Sequence, residues 1–270
     1  MRVGIVGLGL IGASLGGALR KSSHVSGFDA DPTHADTALH RGFVDQIVPT
    51  LEDCVSPADV VVLATPLSAT LALIPEAAEA MSHGAILTDV CSVKIPVVEA
   101  MERLPARVRA VGGHPIAGKE SSGPDAADPQ IFAGAGYAVV PTERSDQAAV
   151  ERIDRMAREI GSRPVHVSAA EHDRTVARTS HLPQVLASAL AVSTKDCDPS
   201  LVGPGLRGMT RLAGSDPDLW AGILIANRSQ VAPILRSMSA AMDSWAEAVE
   251  AEDGDWIRVQ MRTGQKIISR

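Results

Sequence analysis

The chain contains 270 residues and carries a formal net charge of −7 at pH 7. Apolar residues make up 45% of the sequence and aromatic residues only 3%, so the chain can bury a sizeable core that must be mainly aliphatic. The sequence shows no basic stripe of the kind that nucleic-acid-binding proteins carry. It also has no apolar stretch of the about 20 residues that a membrane span needs. We therefore expect a globular protein whose partners include neither nucleic acid nor a membrane.

Cysteine usage and the first residues bear on the compartment. The three cysteines, Cys54, Cys91 and Cys197, lie far apart and form no CxxC pair. A sparse and odd number of cysteines predicts neither a disulfide framework nor a zinc site. The segment MRVGIVGLGLIG lacks the apolar block and cleavage site of a signal peptide. The sequence thus predicts a cytoplasmic location and no metal site.

Short apolar runs alternate with helical patterns over the first 168 residues. The predicted strands are residues 2–6, 24–28, 59–64, 85–88, 108–112, 137–140 and 164–167. Helical patterns fall between several of them, at residues 10–21, 31–41 and 146–160. This alternation predicts an α/β domain with a Rossmann-type, doubly wound parallel sheet.

The pattern changes after about residue 168, where no convincing strand appears. Residues 169–194 read as one long helix, Asp216-Pro217 begins another, residues 227–250 form a third, and the tail from Asp255 is also helical. We expect a dinucleotide-binding domain at residues 1–168 and an all-α C-terminal domain at residues 169–270. The first of these helices is rich in Ala and Val and is hard to bury within about 100 residues, which predicts a homodimer.

A glycine-rich loop follows the first strand and opens the first helix. Gly7, Gly9 and Gly12 form a GxGxxG pattern, in which the glycines allow a tight turn, close approach of a pyrophosphate, and close helix–strand packing. Leu10 and Ile11 begin the helix, whose N-terminal N–H groups favour phosphate. The loop predicts a dinucleotide site, and the alternative is a glycine turn without a ligand.

Two further positions predict how the cofactor lies. Asp29 ends the second strand, 22 residues after Gly7, where an acid binds both ribose hydroxyls and repels a 2′-phosphate. This favours NAD over NADP, although Asp29 could also simply cap a turn. Thr65 and Pro66 end the strand DVVVLA at the carboxyl edge of the sheet, where nicotinamide cofactors usually rest.

The catalytic candidates follow two other strands. His114 lies in the segment GGHPIAG, and the Pro after it favours an extended backbone that fixes where the ring points. A histidine there can take a proton from a hydroxyl as hydride leaves the same carbon. Ser92, in DVCSVK, is placed to orient His114 or to contact the hydroxyl. The sequence does not decide whether Lys94 caps a helix or stabilises charge.

Five segments then point to a family. They are GLGLIGASL, DVCSVK, GGHPIAGKESSG, HDRTVARTSHLP and RGMTRLAGSDPDLW, in this order, and together they resemble the prephenate and arogenate dehydrogenases of tyrosine biosynthesis from about residue 2 to 265. The resemblance implies an NAD(P)-dependent oxidoreductase that decarboxylates a cyclohexadienyl ring. Hydride leaves C4 for the nicotinamide and carbon dioxide is lost, converting prephenate to 4-hydroxyphenylpyruvate or arogenate to tyrosine.

The resemblance also implies roles for single residues. His114 is the hydrogen-bond acceptor or base on the 4-hydroxyl, with Ser92 beside it, and Arg211 resembles the arginine that binds a substrate carboxylate. Arg207 lies four residues earlier, on the same face if the segment is helical, and two guanidinium groups suit a dicarboxylate substrate. The alternative for this arginine pair is a solvated helix face.

The same resemblance places His181 in the substrate pocket, with His172-Asp173 in the same wall. The sequence departs from the family pattern at Lys119, where Thr is common, at Gln184, where His is frequent, and at Cys91, a small-residue position. We assign Lys119 and Gln184 to substrate binding. The substrate's side chain stays open between prephenate, arogenate and a 4-amino-4-deoxyprephenate analogue.

Two other classes remain as alternatives. A β-hydroxyacid dehydrogenase or imine reductase shares the glycine loop and the helical second domain, but it relies on a catalytic Lys or Asp in that domain. A module that senses NAD without turnover would not need His114, Ser92 and paired arginines together.

Overall fold

The computed structural model describes residues 1–269 of the chain. Its contacts separate two compact units, Met1–Asn227 and the segment from Arg228 onwards. The first unit contains the whole sheet and the helices as far as residue 226. The predicted boundary near residue 168 coincides with the change from strands to helices. The helices that directly follow it belong to the same compact unit as the sheet. The division into two domains at this residue stays a prediction.

The first unit is built on one eight-stranded sheet within the described residues. Its strands are β1 Arg2–Val6, β2 His24–Phe28, β3 Gln46–Ile47, β4 Val60–Leu63, β5 Ile86–Asp89, β6 Arg109–Pro115, β7 Gly136–Pro141 and β8 Arg163–His166. Their order is β3-β2-β1-β4-β5-β6-β7-β8. The predicted Rossmann-type sheet is confirmed, whereas the two-residue β3 is absent from the sequence prediction.

One strand runs against the others. β7 pairs with β6 in the antiparallel sense, while the other neighbouring pairs are parallel. The sheet is therefore mainly parallel, as predicted, with β7 as the exception. A parallel return needs a crossover, usually a helix, and the link from β6 to β7 contains only two short 3₁₀ turns, Pro124–Ala126 and Pro129–Phe132.

Helices cover both faces of the sheet. They are α1 Leu10–Leu19, α2 Pro32–His40, α3 Leu51–Val55, α4 Leu67–Ala80, α5 Ile95–Glu102 and α6 Gln147–Glu159. Successive residues of β4 alternate between two cores: Val60 and Val62 pack with α1, α2 and α6, and Val61 and Leu63 pack with α3, α4 and α5. Both cores are mainly aliphatic, as the composition predicts.

The predicted long helix at residues 169–194 is interrupted. The structure has α7 Ala169–Val176, a π-helical turn Ala177–His181, and α8 Leu182–Ser193. Pro183 has no N–H group, so the carbonyl of Thr179 lacks its α-helical donor, and the wider π turn absorbs this defect. The single long helix that the pattern predicts is thus divided in two, with the irregularity just before Pro183. Side chains after the turn are rotated from the regular α-helical register.

The remaining helices of the first unit are α9 Pro204–Thr210 and α10 Pro217–Ala226. The second unit contains α11 Arg228–Glu250 and α12 Gly254–Ile268, with Trp245 and Trp256 edge to face at a centroid distance of 5.2 Å. Among the described residues, no helix is both long and apolar enough to cross a membrane.

Candidate active site

The glycine loop lies between β1 and α1, at the carboxyl edge of the parallel strands. Gly7 has a φ of +94°, and a Cβ atom there would lie 2.7 Å from the carbonyl oxygen of Ala64. A Cβ on Gly12 would collide with the loop backbone, so this glycine lets α1 pack closely. Beside Gly9, by contrast, nothing lies within 4 Å of such an atom. The loop therefore leaves open space where a ligand can approach the backbone.

A groove of about 290 Å³ runs along this edge. It is lined by the glycine loop, by the segments after β4, β5 and β6, and by α10. The lining includes Gly9, Leu10, Ile11, Thr65, Pro66, Ser92, Lys119, Glu120 and Trp220. No side chain caps the N-terminus of α1, which begins at Leu10. The uncapped N–H groups and the open side of Gly9 fit the pyrophosphate of a dinucleotide.

Asp29 follows β2 and is fixed next to the loop. One carboxylate oxygen accepts from the backbone N–H of Leu8 at 2.6 Å, and the other accepts from that of Asp31 at 2.8 Å. Each carboxylate oxygen has two acceptor sites, so both retain capacity for ribose hydroxyls. The imidazole of His34 lies 3.8 Å from the same carboxylate.

A buried ion pair braces the strand ends beside the groove. The ammonium of Lys94 donates to the carboxylate of Asp89 and, at 2.6 Å, to the carbonyl oxygen of Gly113. The second oxygen of Asp89 accepts from the N–H of Gly113 at 3.0 Å. Both charged side chains are fully buried. The structure thus gives Lys94 a role that the sequence left open: it ties β5 to β6 directly before His114.

His114 is the penultimate residue of β6 and is half-buried. Its Nδ1 lies 2.8 Å from Nε2 of His172, and Nδ1 of His172 lies 2.7 Å from the carboxylate of Asp173. Burial lowers the pKa of His114 well below its ordinary value, and His172 and Lys94 act in the same direction. The imidazole is therefore neutral near pH 7. Its Nε2 has no hydrogen-bond partner among the described residues.

His181 belongs to the same cluster. Its Nδ1 lies 3.2 Å from the side-chain amide of Asn227, and its ring meets Trp220 edge to face. Its Nε2 is buried without a partner, and burial lowers the pKa of this imidazole to about 4. The amide of Asn227 also donates to the backbone carbonyl of Asp173 at 2.8 Å. The cluster thus contains three histidines within one bonded network.

The predicted arginines differ in their surroundings. Arg211 forms an ion pair with Glu120, which lines the groove, and its side chain is 62% exposed. Arg207 does not line the described groove, and its guanidinium donates to the carbonyl oxygen of Val202 at 2.7 Å. Neither arginine lines the described groove itself, but Arg211 is paired with a residue that does.

Two of the three departures from the family pattern, Lys119 and Gln184, lie in different parts of the structure. Lys119 lines the groove and pairs with Asp128 at 3.2 Å, and the N–H of Asp128 donates to Ser14 of α1. Gln184 is buried, and its amide donates to the carbonyl oxygen of Leu212 at 2.9 Å. Lys119 thus lies on the side of the glycine loop, whereas Gln184 braces the turn after α9.

Several residues of the site were not assigned a role from sequence. Glu120 is adjacent to the predicted Lys119, and its charge next to a glycine-rich segment was an available signal. Asp173 was noted only as part of a pocket wall, although an adjacent His-Asp pair is a chemical signal in itself. Asn227 stands at the end of α10 without any sequence pattern that marks it. Ser92 lines the groove, and no hydrogen bond joins it to His114 in the described residues.

Comparisons with known proteins cover nearly the whole chain. The family model described as "Prephenate dehydrogenase, nucleotide-binding domain" matches residues 15–166, and "Prephenate dehydrogenase, dimerization domain" matches residues 168–263. The prephenate dehydrogenase of Bacillus subtilis is 32% identical over 262 residues, which are 93% of this chain and 71% of that protein. The cyclohexadienyl dehydrogenase of Zymomonas mobilis is 30% identical over 275 residues, 98% of this chain and 94% of that protein.

The fold also matches a solved structure. The crystal structure of prephenate dehydrogenase from A. aeolicus in complex with hydroxyphenyl propionate and NAD+ superposes with a TM-score of 0.90. The two sequences are 26% identical, and the match covers 100% of this chain and 98% of the other.

Proposed function

Because the chain belongs to the prephenate dehydrogenase family, we propose that it is an NAD-dependent oxidoreductase acting on a cyclohexadienyl substrate. The reaction removes hydride from C4 of the ring and releases the ring carboxylate as carbon dioxide. The observation that carries this proposal is the place of His114 at the end of β6, where His172 engages its Nδ1 and its Nε2 has no partner among the described residues. Burial lowers the pKa of this imidazole, which favours its neutral form. The β-hydroxyacid dehydrogenase and NAD-sensing alternatives do not account for the family match together with this histidine.

The cofactor site falls on the glycine loop and the strand ends. Gly7, Gly9 and Gly12 shape the loop, and the first N–H groups of α1, at Leu10 and Ile11, would bind the pyrophosphate. Bound there, NAD supplies the hydride acceptor. Each carboxylate oxygen of Asp29 accepts one backbone hydrogen bond and can accept another, so Asp29 would bind the ribose hydroxyls. Its negative charge would disfavour the 2′-phosphate of NADP. Thr65 and Pro66, which line the groove, would border the nicotinamide.

The substrate residues act on its hydroxyl and carboxylates. Neutral His114 accepts the hydrogen bond of the 4-hydroxyl at Nε2, which raises electron density on that oxygen as hydride leaves the same carbon. Arg211 binds a substrate carboxylate, and the substrate must first displace Glu120 from this guanidinium. Ser92 and His181 border the ring, while Arg207 and Gln184 contribute through the positions of α9 and the turn after it.

Lys119 has a further place in this proposal. It lies on the glycine-loop side of the groove. Its ammonium pairs with the carboxylate of Asp128, and the backbone N–H of Asp128 donates to Ser14 of α1. A cation there adds positive charge between the cofactor phosphates and an anionic substrate, which is a small-molecule dicarboxylate in this reaction. Lys119 therefore contributes to binding of the cofactor, of the substrate, or of both. Replacing Lys119 by Met and measuring the KM for NAD and the KM for the substrate separately distinguishes these roles.

We also propose that the protein acts as a homodimer in a reducing compartment such as the cytoplasm. The match to a dimerization domain over residues 168–263 supports the dimer, as do the exposed apolar side chains Val259, Met261 and Ile267 on α12. The free cysteines Cys54 and Cys91, both buried, are consistent with that compartment. Sedimentation at micromolar concentration should give twice the chain mass of 28.2 kDa, and a single-chain mass would contradict the dimer.

The activity is tested by following nicotinamide absorbance with three substrates in parallel: prephenate, arogenate and 4-amino-4-deoxyprephenate. NAD binding is measured separately by titration, so that a protein that fails to bind cofactor is recognised. We expect NADH formation with prephenate or arogenate. Turnover of the amino compound alone would keep the reaction class and change the substrate. Absence of turnover with all three, on protein that binds NAD, would contradict the proposal.

A further inference from the structure

A chain of two hydrogen bonds leads away from His114 into the helical part of the first unit. It runs from His114 Nδ1 to His172 Nε2 at 2.8 Å, and from His172 Nδ1 to the carboxylate of Asp173 at 2.7 Å. The side chains of His172 and Asp173 are 2% and 1% exposed. Water therefore does not compete for these bonds, and the donors and acceptors in the chain must match.

The direction of each bond follows from the far end. The carboxylate of Asp173 also accepts from the backbone N–H groups of Lys94 at 2.7 Å and Ile95 at 2.9 Å. A carboxylate with three N–H neighbours acts as acceptor toward all of them, so His172 carries a proton on Nδ1. If the ring of His172 holds only this one proton, its lone pair lies on Nε2 and accepts from His114. In that arrangement His114 carries its proton on Nδ1, and its Nε2 holds a lone pair.

We propose that His172 and Asp173 are positioning residues that hold His114 in the tautomer whose Nε2 accepts the hydrogen bond of the substrate hydroxyl. This inference rests on the proposed function. It goes beyond it by assigning the two residues of α7 a role in the reaction, although neither touches the reacting atoms.

Asp173 is fixed by several hydrogen bonds, and it fixes His172 in turn. Asp173 is held at its carboxylate by the first residues of α5 and at its backbone carbonyl by Asn227. Without His172, the ring of His114 is free to carry its proton on Nε2 instead. It would then present a donor to the donating hydroxyl, and the catalytic hydrogen bond would be lost. The carboxylate at the far end also stabilises positive charge that develops on His114 as the hydroxyl proton is shared.

The first test uses the wild-type protein without substrate, so its outcome does not depend on the identity of the substrate. Nitrogen-15 NMR of histidine side chains assigns the protonated ring nitrogen of each imidazole. We expect His114 and His172 both to carry the proton on Nδ1 near pH 7. Protonation of His114 on Nε2 would overturn the inference even if the enzyme turns over prephenate.

The second test compares variants by steady-state kinetics. H172L removes both hydrogen bonds, whereas in H172Q the amide oxygen can still accept from His114. We expect H172L to lower kcat by about 10²-fold or more, with the KM values for NAD and substrate little changed, and H172Q to recover part of the loss. V176A is the matched control, since Val176 is buried in the same helix and makes no bond to the network. A kcat of H172L near the wild-type value, or an equal loss in V176A, would overturn the inference.

Discussion

The buried pair of Lys94 and Asp89 offers a sharp test of how the strand ends are held. Both side chains are fully buried, and the ammonium binds the carboxylate of Asp89 and the carbonyl of Gly113. Replacing Lys94 by Met keeps the approximate volume of the side chain and removes its charge. The carboxylate of Asp89 then keeps only the N–H groups of Cys91 and Gly113. Its charge is left without a counter-ion.

Removing one partner of a buried ion pair typically costs about 3–5 kcal/mol. We therefore expect K94M to lower the free energy of unfolding by an amount in that range, measured by urea denaturation followed by circular dichroism. This is a large part of the about 5–15 kcal/mol that stabilises a typical domain. The double variant D89N/K94M leaves no buried charge at this place and should lose clearly less than K94M alone.

An exposed pair provides the control. Arg155 and Glu151 lie 3.9 Å apart on α6, and both side chains are about half exposed. R155M makes the same change from a cation to an apolar side chain and should cost less than about 1 kcal/mol. The reasoning is refuted if K94M loses no more than R155M, or if the double variant loses as much as K94M.

Three further outcomes follow from the site. D29S should lower kcat/KM with NAD and raise it with NADP, and an unchanged preference between the two would exclude Asp29 from ribose recognition. R211A should raise the KM for substrate by roughly ten- to a hundredfold and leave the KM for NAD unchanged, because it removes charged hydrogen bonds to a substrate carboxylate. R207A should raise the KM for substrate less, and a larger effect of R207A than of R211A would contradict the assignment. The depressed pKa of His181, about 4 against an ordinary 6.5, means that the unfolded chain binds this proton first, so stability should fall by up to about 3 kcal/mol as the pH drops from 6.5 to 4. Melting temperatures across this range should show the loss, with a smaller slope in H181Q, and equal slopes would place the effect elsewhere.

Local patterns account for what the sequence predicts well. The glycine loop, the strand before it and the N-caps Asp31 and Asp216 depend on residues within a few positions of one another. The structure has each of them at the predicted place. The carboxyl ends of β1, β4 and β5 meet because parallel strands share an edge, so the groove also follows from the predicted order of elements.

Features that depend on distant residues were not predictable in the same way. The reversed β7 reflects the absence of a crossover helix after β6, which a pattern of apolar runs does not reveal. The bond between His114 and His172 joins residues 58 positions apart, and the pair Arg211–Glu120 joins residues 91 positions apart.

The central claim is that His114 serves the reaction and not the binding of the cofactor. The most direct measurement compares H114N with the wild type for NADH formation from prephenate and arogenate, together with NAD affinity by fluorescence titration. The account predicts a loss of turnover of about 10²–10⁴-fold, as for removal of a general base, with nearly unchanged NAD affinity. Turnover by H114N at the wild-type rate would contradict it.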